Sequence, residues 1–223
     1  MSAPPMRIQS TNLRTWLVFS DGACEGEQNK EGTVGAILVN PEGELTQYFA
    51  EKVPKRLMDK LLSQSEHPIF ELELIPIGCA MSLWGPKMRH SQCVVYLDNE
   101  AARGALSHAA TNTEHGQKII ERFVKDEMLY QIKLWFARVP TSSNLADKPS
   151  RLETSELDAL GVERVTIDWC EVEAQLTAGT GSDEWGFKTG SSYIPPLCLE
   201  KVLACLQHSM FDCSFFRSCV FHL

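Results

Sequence analysis

Apolar and polar positions change rhythm twice along the chain. From Thr15 to Val53 they alternate in short runs: "TWLVFSD", "TVGAILVN" and "LTQYFAEKV", separated by "GACEGEQNKEG" and "PEGE". Runs of that length with glycine- and acid-rich breaks predict three strands, and the short breaks predict an antiparallel meander. At Pro54 the period lengthens. Leu57, Leu61 and Leu62 share a helical face in "PKRLMDKLLSQ". After "SEHP", Leu72, Ile75, Cys79 and Leu83 do the same in "IFELELIPIGCAMSLWG". Pro76 inside that stretch removes a backbone donor, so a kink, or tolerance within the first turns, is expected.

The second change comes at Gln92. "QCVVYLD" is apolar on both sides, as a central strand must be. Asn99 then caps a helix over "NEAARGALSHAA". "EHGQKIIERFVKDEMLYQ" reads as an amphipathic helix, "IKLWFARV" as a fifth strand, and "LADKPSRLETSELDAL" as a last, broken helix. The order predicts an α/β fold: a five-stranded mixed sheet, three antiparallel strands then parallel additions, flanked by helices. The expected organisation is an N-terminal extension over 1–14, a domain over 15–160, and an acidic, cysteine-containing, poorly ordered extension over 161–223. Within the last, "TAGTGSDEWGFKTGSS" reads as a linker and "LCLEKVLACLQHSM" as a short amphipathic helix.

Charge sharpens the boundary. The formal net charge is −8. Met1 to Arg151 holds 17 basic and 18 acidic residues, and Leu152 to Leu223 holds 4 and 11. Such a balance argues mildly against a polyanion partner, though a near-neutral first segment can carry a local basic face. "MSAPPMRIQS" lacks the apolar stretch of a secretory signal, and no run approaches the ~18 residues of a membrane span. The expectation is an intracellular protein, cytoplasmic or nuclear, with no membrane partner and with reduced thiols. Cys198, Cys205, Cys213 and Cys219 match no zinc spacing.

Four acids stand at element ends: Asp21 closes the first strand, Asp98 the fourth, Asp147 opens the last helix, and Glu71 or Glu73 begins the long helix. Each alone has an ordinary explanation as a turn, cap or dipole-facing acid. Together they suggest a cluster. Carboxylates packed closely repel, and hard cations cancel that repulsion through oxygen ligands.

The same stretches carry a resemblance. "SDGACEG" followed by "GTVGAIL" resembles the opening hairpin of the ribonuclease H family, and "ELIPIGCAMSLW" resembles its first helix, which selects Glu73 over Glu71. "VVYLDNEAARGAL" is similar to its fourth strand and following helix. "VPTSSNLADKPSRL" resembles the end of the ribonuclease H domain of retroelement reverse transcriptases, DIRS-like or gypsy-like. The resemblance spans roughly Thr15 to Leu152. It departs from the family at "EQNKEG", in the lengthened path from Val53 to Pro68, and in having no histidine shortly before Asp147.

What the resemblance implies is a hydrolase cutting the RNA strand of RNA–DNA hybrids with two Mg²⁺ ions, Mn²⁺ being a possible substitute. Asp21, Glu73, Asp98 and Asp147 would be catalytic residues and metal ligands. Gly22 and Ala23 would offer backbone amides to the substrate, with Asn99 and Asn144 reaching phosphates or 2′-hydroxyls. A reverse transcriptase polymerase domain would be a partner. Two alternatives stay open. One is a DNA-directed nuclease of the same fold, although an exonuclease calls for D-x-E where this chain has "DGA", and an integrase for a final glutamate. The other is a catalytically degenerate nucleic-acid-binding module.

Overall fold

The computed structural model describes residues 14–26 and 30–177. Three antiparallel strands open the chain: β1 (Thr15–Glu25), β2 (Glu31–Val39) and β3 (Leu45–Lys52). Two helices follow, α1 (Lys55–Gln64) and α2 (Ile69–Trp84), and then β4 (Gln92–Leu97). Helices α3 (Glu100–His108) and α4 (Glu114–Tyr130) lead to β5 (Lys133–Arg138). A 3₁₀ turn (Thr141–Ser143) precedes the short helices α5 (Asp147–Ser150) and α6 (Ser155–Ala159). Strand β6 (Glu163–Arg164) and helix α7 (Trp169–Thr177) complete the described chain.

The sheet order is β5-β4-β1-β2-β3-β6. β1, β2 and β3 pair antiparallel, whereas β4 joins β1, and β5 joins β4, in parallel. This is the mixed sheet that the hydrophobic rhythm predicts, with β4 in the interior as its two-sided apolar pattern requires. It has one strand more than expected, because two-residue β6 pairs with Gln47 and Tyr48 at the far edge. So short a segment leaves no period to read.

Strand alternation divides the core into two layers. Val34, Ala36 and Leu38 of β2 face the larger one with Leu57, Leu72, Ile75, Trp84 and Phe123 of the helices. Ile37 and Val39, one residue out of phase, face a smaller layer with Tyr48, Ala50 and Leu157 of α6. Tyr48 is fully buried, and its hydroxyl hydrogen-bonds the Asp158 carboxylate, fastening α6 to the sheet.

Residues 161–176, placed by the sequence reading in the extension, belong to the compact unit that runs to Leu176. Glu51 of β3 fastens them: it accepts the Ile167 amide at 2.9 Å and the Trp169 indole N–H at 2.7 Å. Ile167 and Leu176 are buried against the main core. The linker and amphipathic helix expected beyond Thr177 lie outside the described residues, as do residues 1–13 of the extension expected over 1–14.

Pro76 is accommodated within a single helix. Its missing N–H leaves the Leu72 carbonyl without its usual intrahelical partner. That carbonyl faces β1: a Cβ on Gly22 would sit 2.2 Å from the Leu72 oxygen. Only a glycine lets strand and helix meet this closely.

Candidate active site

The parallel pairing of β1 with β4 sets Phe19 beside Tyr96, so Asp21 and Asp98 stand two residues further along neighbouring strands. From the first turns of α2 comes Glu73, brought against β1 by the Gly22–Leu72 contact. One carboxylate oxygen from each of Asp21, Glu73 and Asp98 lies within 4.8 Å of the others. Asp21 and Glu73 are buried and Asp98 is partly exposed, so the cluster opens to solvent on the Asp98 side.

Burial raises the proton affinity of Asp21 and Glu73. Desolvation pushes the Asp21 carboxyl up to about 6; Asp98 and Asp147 add to the rise, while the Ser150 hydroxyl and the Arg151 guanidinium oppose it. Glu73 is driven up to about 9, first by desolvation and then by Asp21 and Asp98, against opposing hydrogen bonds from Asn99 and the Gly22 N–H. Glu73 Oε2 is buried with no hydrogen-bond partner. A buried carboxylate oxygen without a partner, on an acid clustered with two others, fits a divalent cation of the oxygen-seeking kind. The donor set therefore suits the metal that the sequence implies.

The fourth acid behaves differently. Asp147 opens α5 but does not join the three. Its Oδ1 accepts from Arg151 Nη2 at 3.2 Å and Nε at 3.4 Å. Nor does its side chain cap the helix. Glu71 is also buried, and its charge acts on His115 of α4, away from the three acids.

The four residues expected to contact substrate also have structural partners. Asn144 is buried; its amide donates to the Ser20 carbonyl at 3.0 Å and its Oδ1 accepts from the Ala146 amide at 3.2 Å. It ties the Asp147 turn to β1. Asn99 caps α3 through the Ala102 amide at 3.0 Å and also hydrogen-bonds Glu73. Gly22 is buried with its N–H directed to Glu73, and Ala23 lies within the β1–β2 ladder opposite Thr33.

Ser150 is a site residue that the sequence reading passed over. It is fully buried; its hydroxyl donates to Asp21 Oδ2 and lies 2.8 Å from the Asp147 carbonyl. A Cβ on Gly35, opposite Asp21 in the ladder, would meet the Ser150 nitrogen at 2.4 Å, so α5 rests directly on β2. The available signal was the serine in "NLADKPSR", three residues after the acid.

The chain matches no protein-family model, and no curated protein matches it in sequence. Solved structures do resemble it. Ribonuclease H1 of the halophilic archaeon Halobacterium salinarum NRC-1 superposes with a TM-score of 0.50 at 15% identity, covering 64% of this chain and 98% of that one. The N-terminal ribonuclease H domain of a Mycobacterium tuberculosis protein gives 0.50 at 10% identity, covering 66% and 99%. LC11-RNase H1, isolated from compost by a metagenomic approach, gives 0.51 at 13% identity, covering 65% and 99%. The fold of this chain is the ribonuclease H fold.

Proposed function

We infer that this ribonuclease H-like domain is a divalent-cation-dependent nuclease that hydrolyses the RNA strand of RNA–DNA hybrids. One observation carries the reading: three acids from three separate elements converge within 4.8 Å, and one of them keeps a buried oxygen without a partner. A purely structural cluster would satisfy that oxygen. The run from Val139 to Arg151 supports the finer reading of a retroelement-type domain working with a reverse transcriptase polymerase.

Asp21, Glu73 and Asp98 would hold the metal, with Asp147 as the fourth acid. Mg²⁺ bound there supplies Lewis acidity and an activated water for phosphodiester hydrolysis. The chain's own part is pre-organisation. The Gly22–Leu72 contact fixes β1 against α2, Asn99 orients Glu73, and Ser150 orients Asp21. Near neutral pH the Glu73 carboxyl keeps its proton, and a divalent cation held there would favour its release. No helix among the described residues is long and apolar enough to cross a membrane.

The experiment is cleavage of a labelled RNA–DNA hybrid by the purified chain in Mg²⁺, beside the Asp98→Asn variant. Cleavage by the wild type and its loss in the variant are expected. Equal cleavage by both would sink the assignment. Mg²⁺-dependent melting without cleavage would favour the degenerate binding module.

A further inference from the structure

Asp147 and Arg151 lie one turn apart on the same short segment, and their ion pair is only part-covered: the side chains are 29% and 49% exposed. Both charges act on Asp21, in opposite senses. The pair therefore sits at the rim of the acid cluster. Lys148, the other cation of this turn, is engaged elsewhere with Glu156 at 2.5 Å. Arg151 thus supplies the compensating positive charge for the acid that stands apart from the three. A part-exposed i,i+4 pair is weak and readily exchanged. A guanidinium is also a planar fork that matches a phosphate as well as a carboxylate.

Resting on the nuclease reading above, we propose that Arg151 is an exchangeable latch. It holds Asp147 away from Asp21, Glu73 and Asp98 in the metal-free protein, and takes a backbone phosphate of the nucleic acid once Asp147 turns to the cluster. Arg151 then does two jobs in sequence. It competes with the cation for Asp147, and it grips the substrate only after losing that competition. A permanent phosphate contact would bind substrate equally with and without metal; a surface ion pair would affect neither partner.

The test uses the full chain as wild type, Arg151→Ala and Arg151→Lys. Thermal melting against Mg²⁺ concentration reads the cation midpoint. Fluorescence anisotropy of a labelled hybrid with a 2′-O-methylated RNA strand, which resists hydrolysis, reads substrate affinity in Mg²⁺ and in EDTA. In Arg151→Ala the Mg²⁺ midpoint should fall about threefold, as the competitor is gone. Hybrid affinity should drop about tenfold in Mg²⁺ and change less than about twofold in EDTA. Arg151→Lys should recover part of the affinity in Mg²⁺. An unchanged or higher midpoint overturns the latch, as does an equal loss of affinity with and without Mg²⁺. A lower midpoint with unchanged affinity overturns the phosphate contact. A wild type whose melting ignores Mg²⁺ removes the nuclease reading itself, a result distinct from an indifferent Arg151→Ala beside a responsive wild type.

Discussion

Replacing Glu73 with glutamine should stabilise the metal-free protein, and increasingly so as pH rises. Glu73 is 6% exposed, and its carboxyl is raised from an ordinary 4.5 to about 9. The folded chain therefore keeps a proton that the unfolded chain gives up. Stability on this account is complete below pH 4.5 and declines as pH climbs towards about 9. Each pH unit within that window costs about 1.4 kcal/mol, so at pH 7 the wild type has lost about 3 kcal/mol that glutamine, with no proton to lose, retains. For a domain of this size that is a rise in Tm of about 10 °C. Urea unfolding in EDTA at several pH values from 5 to 8 measures it. The two curves should converge near pH 5 and diverge steadily above it. In Mg²⁺ the order should reverse, because the variant lacks a ligand. Parallel curves in EDTA would show that Glu73 is ionised in the folded chain, and the account of the cluster would fail.

Gly22→Ala places a methyl carbon 2.2 Å from a backbone oxygen, and should cost about 3 kcal/mol or prevent folding, read by chemical denaturation and soluble yield. Asn144→Ala strands the Ser20 carbonyl and frees the Asp147 turn; a loss of about 2 kcal/mol is expected, with hybrid cleavage falling further than stability explains. Truncation after residue 160 removes the partners of Glu51 and uncovers Ile75 and Ile119, so the shortened chain should melt well below the full one; equal melting temperatures would mean that β6 and α7 contribute nothing.

Much of the fold was legible because its signals are local. The period-two pattern of β2 separates Ile37 and Val39 from Val34, Ala36 and Leu38, and the two sets do line different layers. The apolar faces of β4 place it inside the sheet. Asp98 was readable as the acid just past a strand end, whereas Asp21, read as closing β1, lies inside it, because β1 runs on to Glu25 beside β2 after its pairing with β4 stops at Phe19. Glu73 was not separable from Glu71 by pattern, since both are buried near the start of one helix; the family resemblance made that choice, and the three-acid cluster agrees with it. Contacts spanning most of the chain escaped. Ser150 meets Asp21 across 129 positions and Asn144 meets Ser20 across 124, and nothing local distinguishes those residues from ordinary loop serines and asparagines. The asparagines were read as reaching a substrate; their structural partners, the Ser20 carbonyl for Asn144 and the Ala102 amide for Asn99, were not legible. β6 is too short for any period, and α7 lies in sequence whose acidity suggested an extension.

The backbone contact between Gly22 and Leu72 has a consequence for ion choice. Side chains flex by rotating about bonds, but a peptide carbonyl pressed on a strand backbone does not. The separation of the Asp21 and Glu73 backbones is therefore gauged by the main chain, and only side-chain rotation is left to adjust the seat. A seat with a fixed gauge discriminates by radius. In the proposed metal site it would favour the short bonds of Mg²⁺, about 2.1 Å, over the longer ones of Ca²⁺, about 2.4 Å. On this view the glycine after the first aspartate acts as the calliper of the site, and Pro76, by freeing the carbonyl of Leu72, exposes the jaw it closes on.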